Sequence, residues 1–166
     1  YYYETISKGD APIAAFKKDG PFPHTVVDMT TVYEGQLKSA VRGIGLCEDA
    51  SVLVQDDLQA PDSKVTVRWG MITRAEVKIT GDGAAILERD GKKLEFRVLS
   101  PSSVKLKIYD TEKPPREYDA ENKGTCMIGF EVPVEKSGKE RISVWLAPAG
   151  KAGNAPELKA VEEWGK

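Results

Sequence analysis

Val27-Asp28-Met29-Thr30-Thr31-Val32-Tyr33, then Val41-Arg42-Gly43-Ile44, then Val52-Leu53-Val54-Gln55-Asp56-Asp57 is the stretch that decides the fold. Each piece reads as a short β-segment. The first closes on an aromatic, the second carries Arg-Gly, and the third runs apolar into an acidic pair. Val52-Leu53-Val54 is apolar on both faces, which predicts a central strand. Asp28 lies inside a strand, where Asp is disfavoured. It is therefore expected to satisfy buried backbone or to pair with a cation such as Arg42 or Lys38.

Outward from this stretch, alternation recurs. Val65, Val67 and Trp69 alternate with Lys64, Thr66 and Arg68. The same holds for Leu94, Phe96 and Val98, for Val104, Leu106 and Ile108, for Cys126, Ile128, Phe130 and Val132, and for Ile142, Val144 and Leu146. Period-two patterning places one face in a core and the other towards water. Asp90-Gly91 between two such runs is a strong hairpin signal, and Gly81-Asp82-Gly83 and Ser137-Gly138 predict two more. Pro61-Asp62 suits a turn. The paired prolines make Pro114 to Gly124 an excursion or an edge. The expected architecture is all-β: an antiparallel β-sandwich of about nine or ten strands over residues 1–150. Residues 151–166 are expected to form a linker and a short C-terminal helix from Pro156 to Trp164, with Leu158, Val161 and Trp164 on one side.

Composition sets bounds. The 166 residues suffice for one domain, and 40% hydrophobic with 30% charged residues suits a globular chain. Lys and Arg number 24 against 26 Asp and Glu, a net charge of −2 without a basic block, so no nucleic-acid partner is expected. No run of ~18 apolar residues is present, and no membrane partner is expected. No signal peptide is visible, and the start at Tyr1-Tyr2-Tyr3 reads as a cut inside a longer protein. Cys47 and Cys126 fit no zinc spacing. They are either small buried apolar residues or an inter-strand disulfide of an oxidising compartment.

In order and spacing, the three opening segments resemble the "aspartate-leucine-threonine … tyrosine", "arginine-glycine" and "valine-glutamine-aspartate" signatures of heparinase II/III-type polysaccharide lyases. The resemblance covers roughly Ala11 to Pro148, including Ala11-Pro12-Ile13, the Trp69 strand and Val144-Trp145-Leu146-Ala147-Pro148. It implies the C-terminal β-sandwich region of such an enzyme without its catalytic part. The family's catalytic His and Tyr and its metal-ligand cluster lie upstream of these signatures, and none carries over to this chain. The partners implied are an upstream catalytic domain and, through the parent enzyme, an acidic polysaccharide such as a glycosaminoglycan. The compartment implied is periplasmic or secreted, and no cofactor is implied.

Four residues are candidates for carbohydrate contact: Trp145, Tyr33, Arg42 and His24. Trp145 alternates with core-facing residues and belongs on the outer face of its strand. There it stacks on a sugar, covers a domain interface, or packs under the C-terminal segment. Tyr33 and Arg42 are packing and hydrogen-bonding posts, or line a groove. His24, the chain's one histidine, is a strand-edge residue or a base. Asp56-Asp57 is a solvated strand end or a calcium ligand pair, although adjacent strand residues point to opposite faces. No catalytic or metal residues are assigned. A stand-alone carbohydrate-binding module is the alternative, with Trp145, Tyr109 and Tyr118 exposed. A complete enzyme would require His24, Tyr33 and Arg42 to converge.

Overall fold

The computed structural model describes residues 9–113, 121–150 and 153–164. Tyr1 to Tyr3, most of the Pro114–Gly124 stretch including Tyr118, and the first two residues of the 151–166 linker lie outside the described residues.

Among the described residues, eleven strands build two sheets: β1 (Ile13–Lys17), β2 (His24–Asp28), β3 (Ser39–Leu46), β4 (Val52–Gln59), β5 (Val65–Thr73), β6 (Glu76–Gly81), β7 (Ala84–Arg89), β8 (Lys92–Ser100), β9 (Lys107–Asp110), β10 (Cys126–Val134) and β11 (Lys139–Pro148). The large sheet has eight strands in the order β1-β2-β3-β4-β11-β8-β7-β6, and the small one has three, β5-β10-β9. All pairings are antiparallel. The all-β sandwich expected from alternation is present. β4 sits between β3 and β11 in the body of the large sheet, as its doubly apolar run predicts.

The core lies between the layers. Trp69 of the small sheet stacks on Phe130 at 5.7 Å and meets Phe96 of the large sheet edge-on at 5.8 Å. Ile128, Ile142 and Val144 are fully buried around them. On the β6 side, Val104 and Leu106 close this core from the chain leading into β9.

Asp90 and Gly91 both have positive φ (52° and 72°), the backbone of a two-residue primed turn, and join β7 to β8 as expected. The Gly81-Asp82-Gly83 turn joins β6 to β7. Ser137-Gly138 does not make a hairpin. β10 and β11 belong to different sheets, so this turn carries the chain from one layer to the other. It runs beside the β4–β5 crossover at Pro61-Asp62: Ala60 donates its N–H to the Gly138 carbonyl, Ser137 donates its N–H to Pro61, and the Ser137 hydroxyl donates to Asp62.

The helix expected over 156–164 is reduced to one 3-10 turn, Val161–Glu163. The approach to it is extended because its backbone groups are already taken by side chains of the sheet beneath. Gln55 Nε2 donates to the Lys159 carbonyl at 2.6 Å, and the Val161 N–H donates to Asp57 at 2.8 Å. Cys47 and Cys126 are free thiols, one in the β3–β4 turn and one at the start of β10, so the disulfide alternative is overturned. Burial pushes the Cys47 thiol pKa up.

Candidate functional site

The register fixes which residues share a face. Directly opposed residues point to the same side of a sheet. Arg42 lies opposite Val27 and Asp56, and Asp56 opposite Ile142; this row faces the small sheet. His24 lies opposite Gly45, Gly45 opposite Leu53, and Leu53 opposite Trp145; this row faces away from it. Arg42 therefore belongs to one side of the large sheet, where Tyr33 from the β2–β3 turn lines the same groove, and His24 and Trp145 belong to the other. The convergence that a complete enzyme would require does not occur.

On the inner side, Arg42 grips Asp56 with two hydrogen bonds, Nε to Oδ1 at 2.7 Å and a terminal guanidinium nitrogen to Oδ2 at 2.9 Å. The Trp69 indole N–H donates to the same Oδ2 at 3.1 Å. One buried carboxylate thus ties β3, β4 and, across the layers, β5. Asp56 raises the Arg42 guanidinium pKa above its ordinary value through the hydrogen bonds, against the opposing effect of burial. Beside this post opens a groove of about 640 Å³, walled by Tyr33 and Gln36 on one side and by β5 from Val65 to Gly70 on the other. Arg68 lies at its margin, hydrogen-bonded to Glu131 at 2.8 Å and placed 5.0 Å from the Tyr109 ring centre. Both groove arginines are charge-compensated. The groove can offer planar donors, a phenol and a carboxamide to a polar ligand.

On the outer side, residues 153–164 form a strap. Gly153 donates its N–H to Asp49 at 3.0 Å, and the Gln55 and Asp57 contacts hold the strap further along. Trp164 ends it, packed edge-on against Phe22 at 5.0 Å and His24 at 5.9 Å. Gly43 and Gly45 admit these aromatics: a Cβ at either position would meet Trp164 or Phe22 within 3 Å. Trp145 is on the outer face, as expected, yet only 1% exposed. Its indole N–H donates to Ser51 Oγ at 2.7 Å, and Arg97 lies 5.7 Å from its ring centre. Trp145 therefore presents no platform for a sugar. His24 is 5% exposed. Its Nδ1–H donates to the Phe22 carbonyl at 2.8 Å, and Nε2 is buried without a hydrogen-bond partner. Under this strap His24 offers no accessible nitrogen, which removes it as a contact residue.

The acidic pair is neither a solvated end nor a cation site. Asp56 and Asp57 do point to opposite faces, and each is claimed by an arginine, Asp57 by Arg141 with Nε to Oδ1 at 2.7 Å. Asp28 takes the local option, accepting the Thr30 N–H at 2.9 Å, while Arg42 turns to Asp56 on the other face. Among the described residues no cluster of three or more His, Cys, Asp or Glu is arranged to hold a metal. Arg68, Gln36 and Trp69 join the groove without having been named as site residues. Arg68 was legible as the outward neighbour of Trp69, but its place on the same groove as Arg42 depends on the crossover between sheets.

No protein-family model and no curated relative matches the chain. Solved structures do. Heparan sulfate lyase HepC from Pedobacter heparinus superposes on 94% of this chain with a TM-score of 0.64 at 15% identity, and the match takes in 24% of the HepC chain. A heparinase III structure superposes on 85% with a TM-score of 0.60 at 11% identity, over 21% of its own length. The fold is thus that of a β-sandwich region found in heparinase III-type structures. The chain spans less than a quarter of the length of the lyases it resembles.

Proposed function

We propose that this chain is a non-catalytic β-sandwich module of a heparinase II/III-like polysaccharide lyase, supporting an upstream catalytic domain. The parent reaction is β-elimination on an acidic polysaccharide of the glycosaminoglycan type, in the periplasm or outside the cell. One observation carries this reading. The residues that make up the lyase-like signatures are occupied in holding the sandwich together: Asp28 caps its own turn, Arg42 and Asp56 join the layers, Gly43 admits Trp164, and Gln55 fastens the strap. Elimination next to a uronate needs a base and a cation facing one substrate. Here the histidine and Arg42 face opposite ways.

The test is absorbance of unsaturated uronate ends. The purified chain should release none from heparan sulfate. HepC carrying this chain in place of its matching region should fold and cleave. Cleavage by the chain alone, or a folded but inactive chimera, would overturn the reading.

The groove favours a second reading, a stand-alone carbohydrate-binding module. Tyr33 and Arg68 are exposed at its margin and line it together with Arg42. Saturable binding of a glycosaminoglycan by the free chain, abolished by Tyr33→Ala or Arg68→Ala, would establish it. Binding indifferent to both changes would dismiss it.

A further inference from the structure

Eight strands face three. Strands in a sheet lie about 4.8 Å apart, so the large layer is more than twice as wide as the small one. The surplus is not closed evenly. Val104 and Leu106 cover the β6 side, but on the β1–β3 side the inner face carries Ile13 at 67% and Phe16 at 70% exposure, with Ile44 and Leu46 also open. The register places these four on the core side: Ile13 lies opposite Val27, and Phe16 opposite Thr25, which in turn faces Ile44. They continue the face that Val54 and Leu146 already bury against the small sheet.

Among the described residues the second layer stops at β5, which pairs with β10 on one side and with no strand on the other. Six consecutive β5 residues, Val65 to Gly70, line the groove, so the groove wall is a strand edge that meets no partner strand among the described residues. The groove floor at Arg42 continues along β3 to the open Ile44 and Leu46, and an open edge adjoining an open apolar face is the geometry of strand addition. Backbone hydrogen bonds join the newcomer to the edge, and its alternate side chains cover the apolar face.

We propose that this slot receives a β-strand from the catalytic part of the parent lyase, which pairs with β5 and closes the sandwich over Phe16 and Ile44. The source rests on the function proposed above. The lyases of matching fold carry more than three-quarters of their length outside the matched region, and that length can supply the strand. An alternating polypeptide fits the site because its apolar side would meet Ile44 and Leu46 while its polar side faced solvent.

Hydrogen exchange on the 166-residue chain tests this, with acetyl-Thr-Val-Thr-Val-Thr-Val-Thr-amide as the probe. At ~1 mM peptide, residues 65–73 should exchange roughly tenfold more slowly, and a peptide N-methylated at alternate amides should have no effect. Phe16→Asp with Ile44→Asp, both at exposed sites, should abolish the protection while leaving the thermal midpoint of the free chain intact. In an active HepC chimera, residues 65–73 should be slowed to a similar degree without any peptide. No protection by the peptide overturns the slot even if the chimera is active. Protection by the peptide with an inactive chimera removes the lyase as the source. A dimer of the free chain with β5 already protected would assign the slot to a second copy and overturn the proposal.

Discussion

A Cβ on Gly43 would lie 2.6 Å from Cζ3 of Trp164, closer than van der Waals contact allows. The glycine of the Arg-Gly pair is therefore a seat for the last aromatic of the strap, while its neighbour Arg42 serves the opposite face. Gly43→Ala should expel the ring. We expect a loss of about 1–3 kcal/mol in urea unfolding and a red-shifted Trp emission. In a Trp164→Ala background the same substitution should cost much less, because the obstructing ring is gone. Equal costs in both backgrounds would refute the seat.

Asp56 is the acceptor for both Arg42 and the Trp69 indole. Asp56→Ala leaves a guanidinium and a buried N–H without their partner. A fully buried pair broken this way loses about 3–5 kcal/mol. Arg42 keeps 36% of its side-chain exposure, so water compensates in part and about 2–3 kcal/mol is expected. Arg42→Met combined with Asp56→Leu should recover part of that loss, since no uncompensated charge then remains. The denaturation midpoints of the single and double variants decide it.

The fold was legible where local chemistry decides it. Alternation placed Trp69, Phe96, Ile128 and Ile142 inside, and Asp90-Gly91 named its own turn. What was not legible depends on which sheet a strand joins. Ser137-Gly138 has the residues of a hairpin turn and makes a crossover, because β11 finds β4 rather than β10 as its neighbour. The helical spacing of Leu158, Val161 and Trp164 gave way for a similar reason: Gln55 and Asp57, a hundred residues away in sequence, take the backbone groups that a helix would pair internally. For the site, the sequence placed Trp145 on the correct face and left a sugar, a domain interface or the C-terminal segment as its cover, while the Ser51 and Arg97 contacts that surround it depend on the folded sheet. The meeting of Arg42, Asp56 and Trp69 is a property of the packed layers alone.

Trp145 is a structural residue, and its variants should behave as such. Trp145→Ala removes a side chain that is 1% exposed and should lower stability by about 3–5 kcal/mol. Ser51→Ala takes away the acceptor of the buried indole N–H and should cost about 1–3 kcal/mol. Any glycan affinity measured where the variants remain folded should be unchanged in Ser51→Ala. A selective loss of glycan binding at full stability would contradict this assignment.

Acid should loosen the strap before it unfolds the sandwich. Asp49 is held below the usual carboxylate range, first by the Ser51 hydroxyl and then by the N–H of Gly153. Asp28 is likewise lowered by hydrogen bonds from Thr30. A group whose folded pKa is depressed stabilises the fold above its unfolded value of about 3.9, and that contribution is lost as pH falls through the folded value. Stability should therefore be insensitive to these two groups near neutrality and decline below about pH 4. Asp49 also anchors Gly153, so exchange over 153–160 should quicken in the same range while the core strands β4 and β11 remain protected. Asp49→Asn should quicken strap exchange at neutral pH and flatten its response to acid. Strap exchange that follows core exchange at every pH would show that the two unfold as one unit and that the Asp49 anchor has no separate effect.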